Sequence, residues 1–394
     1  MLPDHPSVIY LGRNLHVGGA ERVFVQYLNH AETLDPIGAL LDASGPLADE
    51  LSDGRAIYDL ALGSAPMAPG RGQATGAAVR AAQWRILVEA WHLRDVVRAT
   101  GASLVSSFLL RAHIVAYLTK RLWCPDLQLV FNVHSMMIQS ERYLFPDPVS
   151  RRIMRDFVRH VFPTAGAVIT VADGVADELR AHAPLREERL HVIPNAIDAE
   201  HIRRQSTKGP TVDDGGRPVV VGVGRMERLK GFDLLLEAVA RMDPRARPTV
   251  VLVGDGPEKT ELEQLGARLG LSDRLHMVGQ VQNPWGYMAQ ATVVAVPSRT
   301  EAFPNVIGEA LALGVPVVAA DCAPGVREYL HGGACGVLVP PDDAPALGAA
   351  LSRLFGDPDR RGALRDTGLS RVAELSVGRT VRAYEDVLLG AVHG

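Results

Sequence analysis

Residues 292–320 read TVVAVPSRTEAFPNVIGEALALGVPVVAA. Two short runs, Thr292–Val296 and Pro316–Ala320, are apolar throughout, which is typical of parallel strands covered by helices on both faces. Between them, the spacing of apolar residues over Pro304–Leu313 predicts a helix. The stretch therefore predicts a strand–helix–strand unit, the building block of an open parallel sheet.

The same rhythm extends in both directions along the 394 residues. In the second half, further strands are predicted at Pro218–Val223, Thr249–Val253, His276–Val278 and Gly336–Val339. In the first half, strands are predicted at Ser7–Gly12, Ile37–Leu41, Ala56–Leu60, Ser103–Phe108, Gln128–Val133, Ala167–Val171 and Leu190–Ile193. Helical patterns separate these strands, so the predicted fold class is α/β, with two doubly wound Rossmann-like domains.

The domain boundary is visible in the sequence. Residues 205–217 have no apolar periodicity and are rich in turn-forming residues, which is typical of a linker or loop. We place the junction near 198–217, with an N-terminal domain over 1–198 and a C-terminal domain over 199–376. Residues 377–394 are expected to form a helix that packs back on the N-terminal domain.

Composition excludes several classes of protein. With 47% hydrophobic and 22% charged residues, the chain is expected to be globular. An aromatic content of 5% and a net charge of −4 argue against a nucleic-acid partner. The three cysteines lack the spacing of a zinc or disulfide framework. Neither a secretory signal nor a spanning segment is recognisable, so we expect a cytoplasmic protein, soluble or peripheral on the inner face of the cell membrane.

Ligands of open parallel sheets bind beyond the carboxyl ends of the strands. The loop after the first strand ends in Gly18 and Gly19 at a helix start, where exposed amides suit a phosphate or sugar hydroxyl, although an ordinary turn is an equally good interpretation. In the second half, Arg225 and Lys230 flank a similar turn. Two cations there suit a diphosphate, although arginine and lysine are mostly solvated surface charges. Gly254 follows the next strand in a tight loop.

The most informative loop lies within the opening stretch. Glu301 follows a strand and Glu309 lies in the next helix, so the two carboxylates could hold two polyol portions of one ligand. The helix begins at Pro304, and the amides around it suit an anion or a sugar oxygen. These are the amides of Phe303, Asn305 and Val306. Glu309 itself is either solvent-facing or partly buried with a partner.

The combination of motifs resembles glycosyltransferase family 4. The motifs are Gly18-Gly-Ala-Glu21, Pro194-Asn-Ala-Ile-Asp198, Gly224-Arg225 with Lys230-Gly231, Gly254-Asp-Gly-Pro257 and the Glu301–Glu309 pair. The resemblance spans essentially the whole chain. It implies the GT-B fold, in which two Rossmann-like domains face a cleft, and retaining transfer of a sugar from a nucleotide-sugar donor without a metal.

The resemblance also implies roles for individual residues. Arg225 and Lys230 would neutralise the donor diphosphate, Glu301 would hold the donor sugar, and His134 matches the family's active-site histidine in the N-terminal domain. Glu309 would bind the ribose hydroxyls. The rest of the implied donor-binding set consists of Gly18, Gly19, Gly254, Phe303, Pro304, Asn305 and Val306. Ala302 stands where many members of the family have glycine.

A basic region lies in the N-terminal half. Residues 71–160 carry 13 Lys/Arg against 6 Asp/Glu, a net charge of +7. The helix predicted over 149–162 is basic and amphipathic, and its arginines are Arg151, Arg152, Arg155 and Arg159. It could rest on an anionic membrane surface or grip a lipid-linked acceptor, or it could be an ordinary core-packed helix with a solvated basic face. Trp84 and Trp91 are either core residues or membrane-interface anchors, and of the two we expect core residues.

These observations predict a retaining glycosyltransferase that moves a hexose or N-acetylhexosamine, from a UDP-sugar, to a glycan, lipid-linked or small-molecule acceptor. No cofactor or metal is expected beyond the donor itself, and no nucleic acid. The alternatives are a sugar-nucleotide epimerase or phosphorylase of the same fold, or a non-catalytic sugar-binding protein.

Overall fold

The computed structural model of the chain describes residues 6–16, 18–52, 55–61, 76–145 and 147–393, with only the backbone for residues 76–83 and 393. Within these residues the chain forms two parallel sheets, of seven and six strands, each covered by helices. The predicted α/β class and the two Rossmann-like domains are confirmed.

The N-terminal sheet has the strand order β3-β2-β1-β4-β5-β6-β7, and its pairings are parallel. The strands are β1 (Ser7–Gly12), β2 (Asp35–Leu40), β3 (Ile57–Asp59), β4 (Leu104–Phe108), β5 (Gln128–Val133), β6 (Ala167–Thr170) and β7 (Leu190–Val192). The helices between them are α1 (Gly19–His30), α2 (Gly76–Thr100), α3 (Leu110–Leu122), α4 (Glu141–Leu144), α5 (Pro148–His160) and α6 (Asp173–His182). Crossovers between parallel strands are right-handed, so α1 covers one face of this sheet and α2, α3, α5 and α6 cover the other.

After α7 (Ala199–Ser206), the C-terminal sheet follows with the order β10-β9-β8-β11-β12-β13. Its strands are β8 (Val219–Val223), β9 (Thr249–Val253), β10 (Leu275–Gly279), β11 (Val293–Val296), β12 (Val317–Ala320) and β13 (Val337–Val339). Its helices are α8 (Phe232–Ala240), α9 (Lys259–Arg268), α10 (Trp285–Met288), α11 (Asn305–Ala312), α12 (Pro324–Tyr329), α13 (Ala344–Gly356) and α14 (Pro358–Glu374). The four central strands, β8, β9, β11 and β12, are almost wholly buried, which explains their continuous apolar sequence, whereas the edge strands β10 and β13 are only partly buried.

The chain crosses between the domains twice at one place. On the way out, Ile197 pairs with Ser376 of the returning segment, and the Ile197 amide donates to the Leu375 carbonyl at 2.8 Å. The last helix, α15 (Val377–His393), then packs on α1 and on strands β4 to β6 of the N-terminal sheet. The two crossings therefore lie side by side, and the C-terminal helix belongs spatially to the N-terminal sheet.

Buried polar and aromatic contacts fix α15 in this position. The ring of Tyr384 stacks on Tyr27 with centroids 4.0 Å apart, and its hydroxyl lies 2.6 Å from the Ser106 hydroxyl. One carboxylate oxygen of Glu385 accepts hydrogen bonds from three successive amides, those of residues 32–34. These contacts satisfy polar groups that would be costly to bury alone.

Candidate active site

Lys230 and Glu301 form a close ion pair at the carboxyl edge of the C-terminal sheet. Lys230 Nζ donates to Glu301 Oε1 at 2.6 Å, and the Ser298 hydroxyl donates to the same oxygen at 2.8 Å. The two residues are 71 positions apart, and they meet because β8 and β11 are neighbouring strands whose loops leave the sheet together. Gly231, at φ 64°, lets the loop turn here, since a Cβ at this position would lie 2.0 Å from the Pro297 carbonyl oxygen.

Arg225 lies in the same loop but points to solvent. Its side chain is 70% exposed and pairs with Glu227 at 2.7 Å. Beside it, the loops after β8 and β9 approach so closely that a Cβ at Gly254 would lie 2.0 Å from the Gly224 carbonyl oxygen. Gly254 is therefore required for loop packing, and Arg225 is free to move toward a ligand without breaking a buried contact.

The start of α11 meets the N-terminal domain. Asn305 Nδ2 donates to the Gly19 carbonyl at 3.1 Å, and Asn195 Nδ2 donates to Asn305 Oδ1 at 2.7 Å. Pro304 is the cap residue that precedes the helix, followed by Asn305 and Val306. The ring of Phe303 is buried against Tyr329, with centroids 4.0 Å apart, so only the backbone of Phe303 is available to a ligand. Ala302 is also buried.

Glu309 is buried at the interface of the domains. Only 8% of the residue is exposed, which excludes the solvent-facing interpretation, and burial raises the pKa of its carboxyl group while the Arg22 guanidinium opposes the rise. Arg22 belongs to α1 of the other domain. Its guanidinium donates to the Gln282 carbonyl at 3.0 Å and lies 4.6 Å from the ring centre of Trp285. No local sequence pattern singles out Arg22 or Trp285, because their contact depends on how the two domains meet.

On the N-terminal side, His134 follows β5 at the carboxyl edge of the sheet. Its ring stacks on Phe108, with centroids 5.6 Å apart and an angle of 17°, and burial lowers its pKa to about 4. Neither buried ring nitrogen has a group within hydrogen-bond distance among the described residues, but the nearby Asn195 side chain opposes the fall in pKa. Gly18 caps α1, and the Glu21 carboxylate fills the space beside it. The carboxyl edge of the N-terminal sheet therefore carries the neutral imidazole of His134 and the N-terminal end of α1.

Further direct contacts hold the two edges together. The hydroxyls of Ser140 and Thr300 lie 2.9 Å apart, and both residues are buried. The Glu328 carboxylate accepts hydrogen bonds from the amides of Asp173 and Gly174, at 2.9 and 3.0 Å, at the start of α6. The carboxyl edges of the two sheets thus face each other across a narrow cleft.

The four arginines of the basic helix have separate environments. Arg155 donates to the Glu141 carboxylate at 2.7 Å, and Arg151 donates to the Phe145 carbonyl at 2.9 Å. Arg152 is 84% exposed and lies 3.7 Å from Asp156, and Arg159 is exposed. The helix begins at 148 and ends at 160, slightly earlier than the predicted 149–162. The contacts of Arg151 and Arg155 lie within the N-terminal domain, away from the Lys230–Glu301 pair.

The described residues contain neither a cluster of metal-ligating side chains nor a helix that could span a membrane. No group of three or more His, Cys, Asp or Glu side chains is arranged to hold a metal ion in that part of the chain. No helix there has the length and apolar character needed to cross a bilayer.

Comparison with known families agrees with this geometry. Residues 17–201 match the model described as Glycosyltransferase Family 4, and residues 217–357 match the model described as Glycosyl transferases group 1. The chain belongs to glycosyltransferase family 4. The family expected from the sequence motifs is confirmed, and the two matched segments meet near the predicted junction.

Two curated relatives illustrate the range of this family. The α-D-kanosaminyltransferase of Streptomyces kanamyceticus is 33% identical over 242 residues, which cover 57% of this chain and 62% of that protein. The N-acetylgalactosamine-N,N'-diacetylbacillosaminyl-diphospho-undecaprenol 4-α-N-acetylgalactosaminyltransferase of Campylobacter jejuni is 25% identical over 300 residues, covering 75% of this chain and 79% of that protein. The match to the first relative thus spans about three fifths of its length.

Among solved structures, Anabaena Alr3699/HepE in complex with UDP superimposes on this family 4 chain with a TM-score of 0.74. The alignment covers 97% of this chain and 99% of HepE at 21% identity. It confirms the GT-B fold expected from the motifs.

Proposed function

We propose that the chain is a retaining glycosyltransferase that transfers a hexosyl or N-acetylhexosaminyl group from a UDP-sugar to a glycan, a lipid-linked sugar or a small molecule. The observation that carries this proposal is the Lys230–Glu301 pair at the carboxyl edge of the C-terminal sheet, opposite the neutral His134. A cation, a carboxylate and helix-end amides at one edge suit the three parts of a nucleotide sugar.

We assign Arg225 and Lys230 to binding the diphosphate of the nucleotide-sugar donor. The departing diphosphate gains negative charge in the transition state, and fixed cations stabilise that charge more than they stabilise the bound donor. Lys230 is already oriented by Glu301 at 2.6 Å, whereas the exposed Arg225 can close over the phosphates. We assign Glu301 to the hydroxyls of the sugar and Glu309 to those of the ribose.

On the facing edge, His134 is assigned to the donor sugar. Because burial lowers its pKa to about 4, the ring is neutral near pH 7 and acts there as a hydrogen-bonding group rather than as a cation. Its unpartnered ring nitrogens are consistent with a ligand that supplies the missing partner. We also assign to the donor the backbone of Gly18, Gly19 and Gly254 and the backbone N–H groups of residues 303, 305 and 306, which flank Pro304 at the start of α11.

Retention of the anomeric configuration is supported by the names of the relatives. Both the kanosaminyltransferase and the N-acetylgalactosaminyltransferase are named for α-linked transfer. Common UDP-hexoses carry an α-linked diphosphate, so an α-linked product means retention. UDP is supported by the HepE complex, and a lipid-linked acceptor by the Campylobacter relative.

The test has a binding arm and a product arm. Melting temperatures are measured with UDP-, GDP-, ADP- and dTDP-sugars, and a ligand at 100 times its Kd adds about 2.7 kcal/mol to the free energy of unfolding. The stabilising sugar nucleotide is then incubated with oligosaccharides and with polyprenyl-diphosphate sugars, and NMR reads the anomeric configuration of the product. We expect stabilisation by UDP-sugars, an α-linked product, and an unchanged rate in EDTA.

Other outcomes would contradict specific parts of the proposal. A β-linked product would exclude retention, and loss of activity in EDTA would exclude metal-free transfer. An epimerised donor without transfer would identify an epimerase. Binding without turnover of any acceptor would favour a non-catalytic sugar-binding protein.

A further inference from the structure

Exposed apolar side chains are concentrated in one part of the molecule. Among the residues whose side chains are described, every large hydrophobic residue that is substantially exposed lies between positions 84 and 153 of the N-terminal domain. We call these residues the exposed apolar surface, and they are Trp84, Leu87, Trp91, Leu122, Tyr143, Leu144, Val149 and Ile153. Isolated exposed hydrophobic residues are ordinary, but a set confined to one stretch indicates an interaction surface.

The helices that carry this set form one continuous layer. Right-handed crossovers place α2, α3 and α5 on the same face of the N-terminal sheet. Tyr117 of α3 packs edge-on against Phe157 of α5, with centroids 6.0 Å apart. Trp91 of α2 packs edge-on against Trp123 just after α3, at 5.5 Å. The exposed apolar surface therefore lies on one side of the domain.

Helix α5 shows that this exposure is not a consequence of loose packing. Met154 and Val158 of the helix are fully buried against the sheet. Val149 and Ile153, one helical turn apart, are instead 67% and 55% exposed. The helix thus has an inner apolar side that packs in the core and an outer apolar side that faces solvent. The core-packed interpretation of this helix accounts for only one of the two sides.

Most of this surface lies toward the cleft. Helix α5 begins after β5, at the carboxyl edge of the sheet, so Val149 and Ile153 lie near that edge. Helix α2 ends at Thr100, just before β4 begins at the opposite edge. Trp84 is sixteen residues before that end, about 24 Å back along the helix and toward the carboxyl edge.

The surroundings of the apolar residues are basic. Residues 71–160 carry a net charge of +7 in a chain whose total is −4. Arg142 and Arg152 are exposed beside Tyr143 and Ile153. Tryptophan, tyrosine and arginine side by side suit the headgroup layer of a bilayer, where the aromatic bodies are buried and the cations meet anionic phosphates.

We propose that the exposed apolar surface docks on an anionic lipid bilayer. Ile153 and Trp84 enter the interface and Arg142 and Arg152 bind lipid phosphates. Docking in this orientation brings the mouth of the cleft to the level of the headgroups, so a lipid-linked acceptor could reach it without leaving the membrane. Docking itself requires neither donor nor turnover, so it can be tested independently of the proposed function.

The test is co-sedimentation of the full chain with vesicles of phosphatidylcholine alone or enriched in phosphatidylglycerol. We expect binding to the anionic vesicles only. Trp84→Ser combined with Ile153→Ser should weaken binding about tenfold. Arg152→Glu, which reverses one charge near the surface, should weaken it by a similar factor. Arg353→Glu, which changes another exposed arginine, on α13 of the C-terminal domain, is the matched control and should bind like the wild type.

Tryptophan fluorescence of the wild type provides a readout that does not depend on variants folding. Emission should shift to shorter wavelength on anionic vesicles, and nitroxide-labelled lipids should quench it. Absence of sedimentation, binding unaffected by Trp84→Ser with Ile153→Ser, or equal binding to neutral vesicles would each overturn the proposal. It would also be overturned if the wild type formed a dimer that these substitutions dissociate, because a second copy would then cover the surface.

Discussion

The C-terminal domain gathers charged side chains at the carboxyl edge of its sheet, whereas the N-terminal domain presents neutral groups at the facing edge. Lys230 and Glu301 form a pair on one side, and a histidine that burial keeps neutral lies on the other. The outer surfaces of the two domains also differ. Among the residues whose side chains are described, the large exposed apolar residues lie on the N-terminal domain. One architecture can therefore combine a charged edge on one domain with a neutral edge and an exposed apolar surface on the other.

The largest effect is expected at the charged edge. Lys230→Ala removes the cation held at 2.6 Å from Glu301 and should lower kcat about a thousandfold, the magnitude seen when one fixed electrostatic group is lost from a transition state. Steady-state kinetics with the stabilising UDP-sugar measures the loss. Arg228→Ala is the matched control, since Arg228 is an exposed cation two residues away, and it should retain near-normal turnover. If both variants matched the wild type, the C-terminal edge would not be the donor site.

The neutral edge predicts a pH dependence of stability. His134 has a pKa of about 4, below the usual value of 6.5, so the unfolded chain binds more protons than the native chain between these pH values. The free energy of unfolding should fall as pH drops through this window, by about 3 kcal/mol from this group. Urea unfolding at several pH values measures the slope.

His134→Gln should reduce this slope without abolishing it. His113 remains in the variant, and burial lowers its pKa to about 3, so it contributes in the same direction. An unchanged slope would show that the native ring of His134 accepts a proton freely.

The pH dependence of stability expected from Glu309, in the C-terminal domain, has the opposite sign to that expected from His134. Burial raises the pKa of its carboxyl group above 4.5, so the native chain binds more protons than the unfolded chain just above that pH. Its contribution to stability is present below pH 4.5 and is lost as pH rises through the raised pKa. The Arg22 guanidinium opposes the rise in pKa that burial causes.

The Glu309 effect is isolated by comparing the wild type with Glu309→Gln in the absence of donor. The variant should gain stability relative to the wild type as pH rises from 4.5 to 7. A difference that is independent of pH would contradict a raised pKa for the buried carboxyl group of Glu309.

The smallest expected effect concerns the C-terminal helix. Tyr384→Phe removes the hydroxyl that lies 2.6 Å from Ser106 and should lower the free energy of unfolding by about 1 kcal/mol. Tyr10→Phe is the matched control, because the buried Tyr10 hydroxyl has no hydrogen-bond partner among the described residues. That substitution should be neutral or stabilising. Thermal unfolding of both variants gives the comparison, and equal losses would show that the Tyr384 hydroxyl adds nothing specific.

Much of the fold could be predicted from the sequence, because buried parallel strands leave a strong local pattern. The predicted bounds of Ser7–Gly12, Gln128–Val133 and Thr249–Val253 agree with the structure. The order of the strands, however, depends on pairing between segments that are far apart in the sequence, so no local pattern shows it. Without it, the proximity of Lys230 and Glu301 could not be derived, since it depends on β8 lying beside β11.

Other parts of the candidate site were not predicted, for related reasons. Asn195 enters the sequence analysis only as part of the Pro194–Asp198 motif, but it is buried and donates to Asn305 across the domain boundary. Trp84 was expected in the core, yet it is 68% exposed. The period of a helix shows that an apolar side exists, but it does not show what covers that side. The assigned roles of the site residues remain predictions for the experiments above.

The side-by-side crossings at Ile197 and Ser376 also bear on how such a protein can change over evolutionary time. Since α15 returns to the first sheet, residues 199–376 are topologically an insertion whose two ends emerge at adjacent points. Two recombination events, one in each of the adjacent crossing segments, would replace the entire second sheet and leave the first sheet and its last helix intact. The crossing is thus a natural recombination point, at which one N-terminal domain could be joined to a different C-terminal domain.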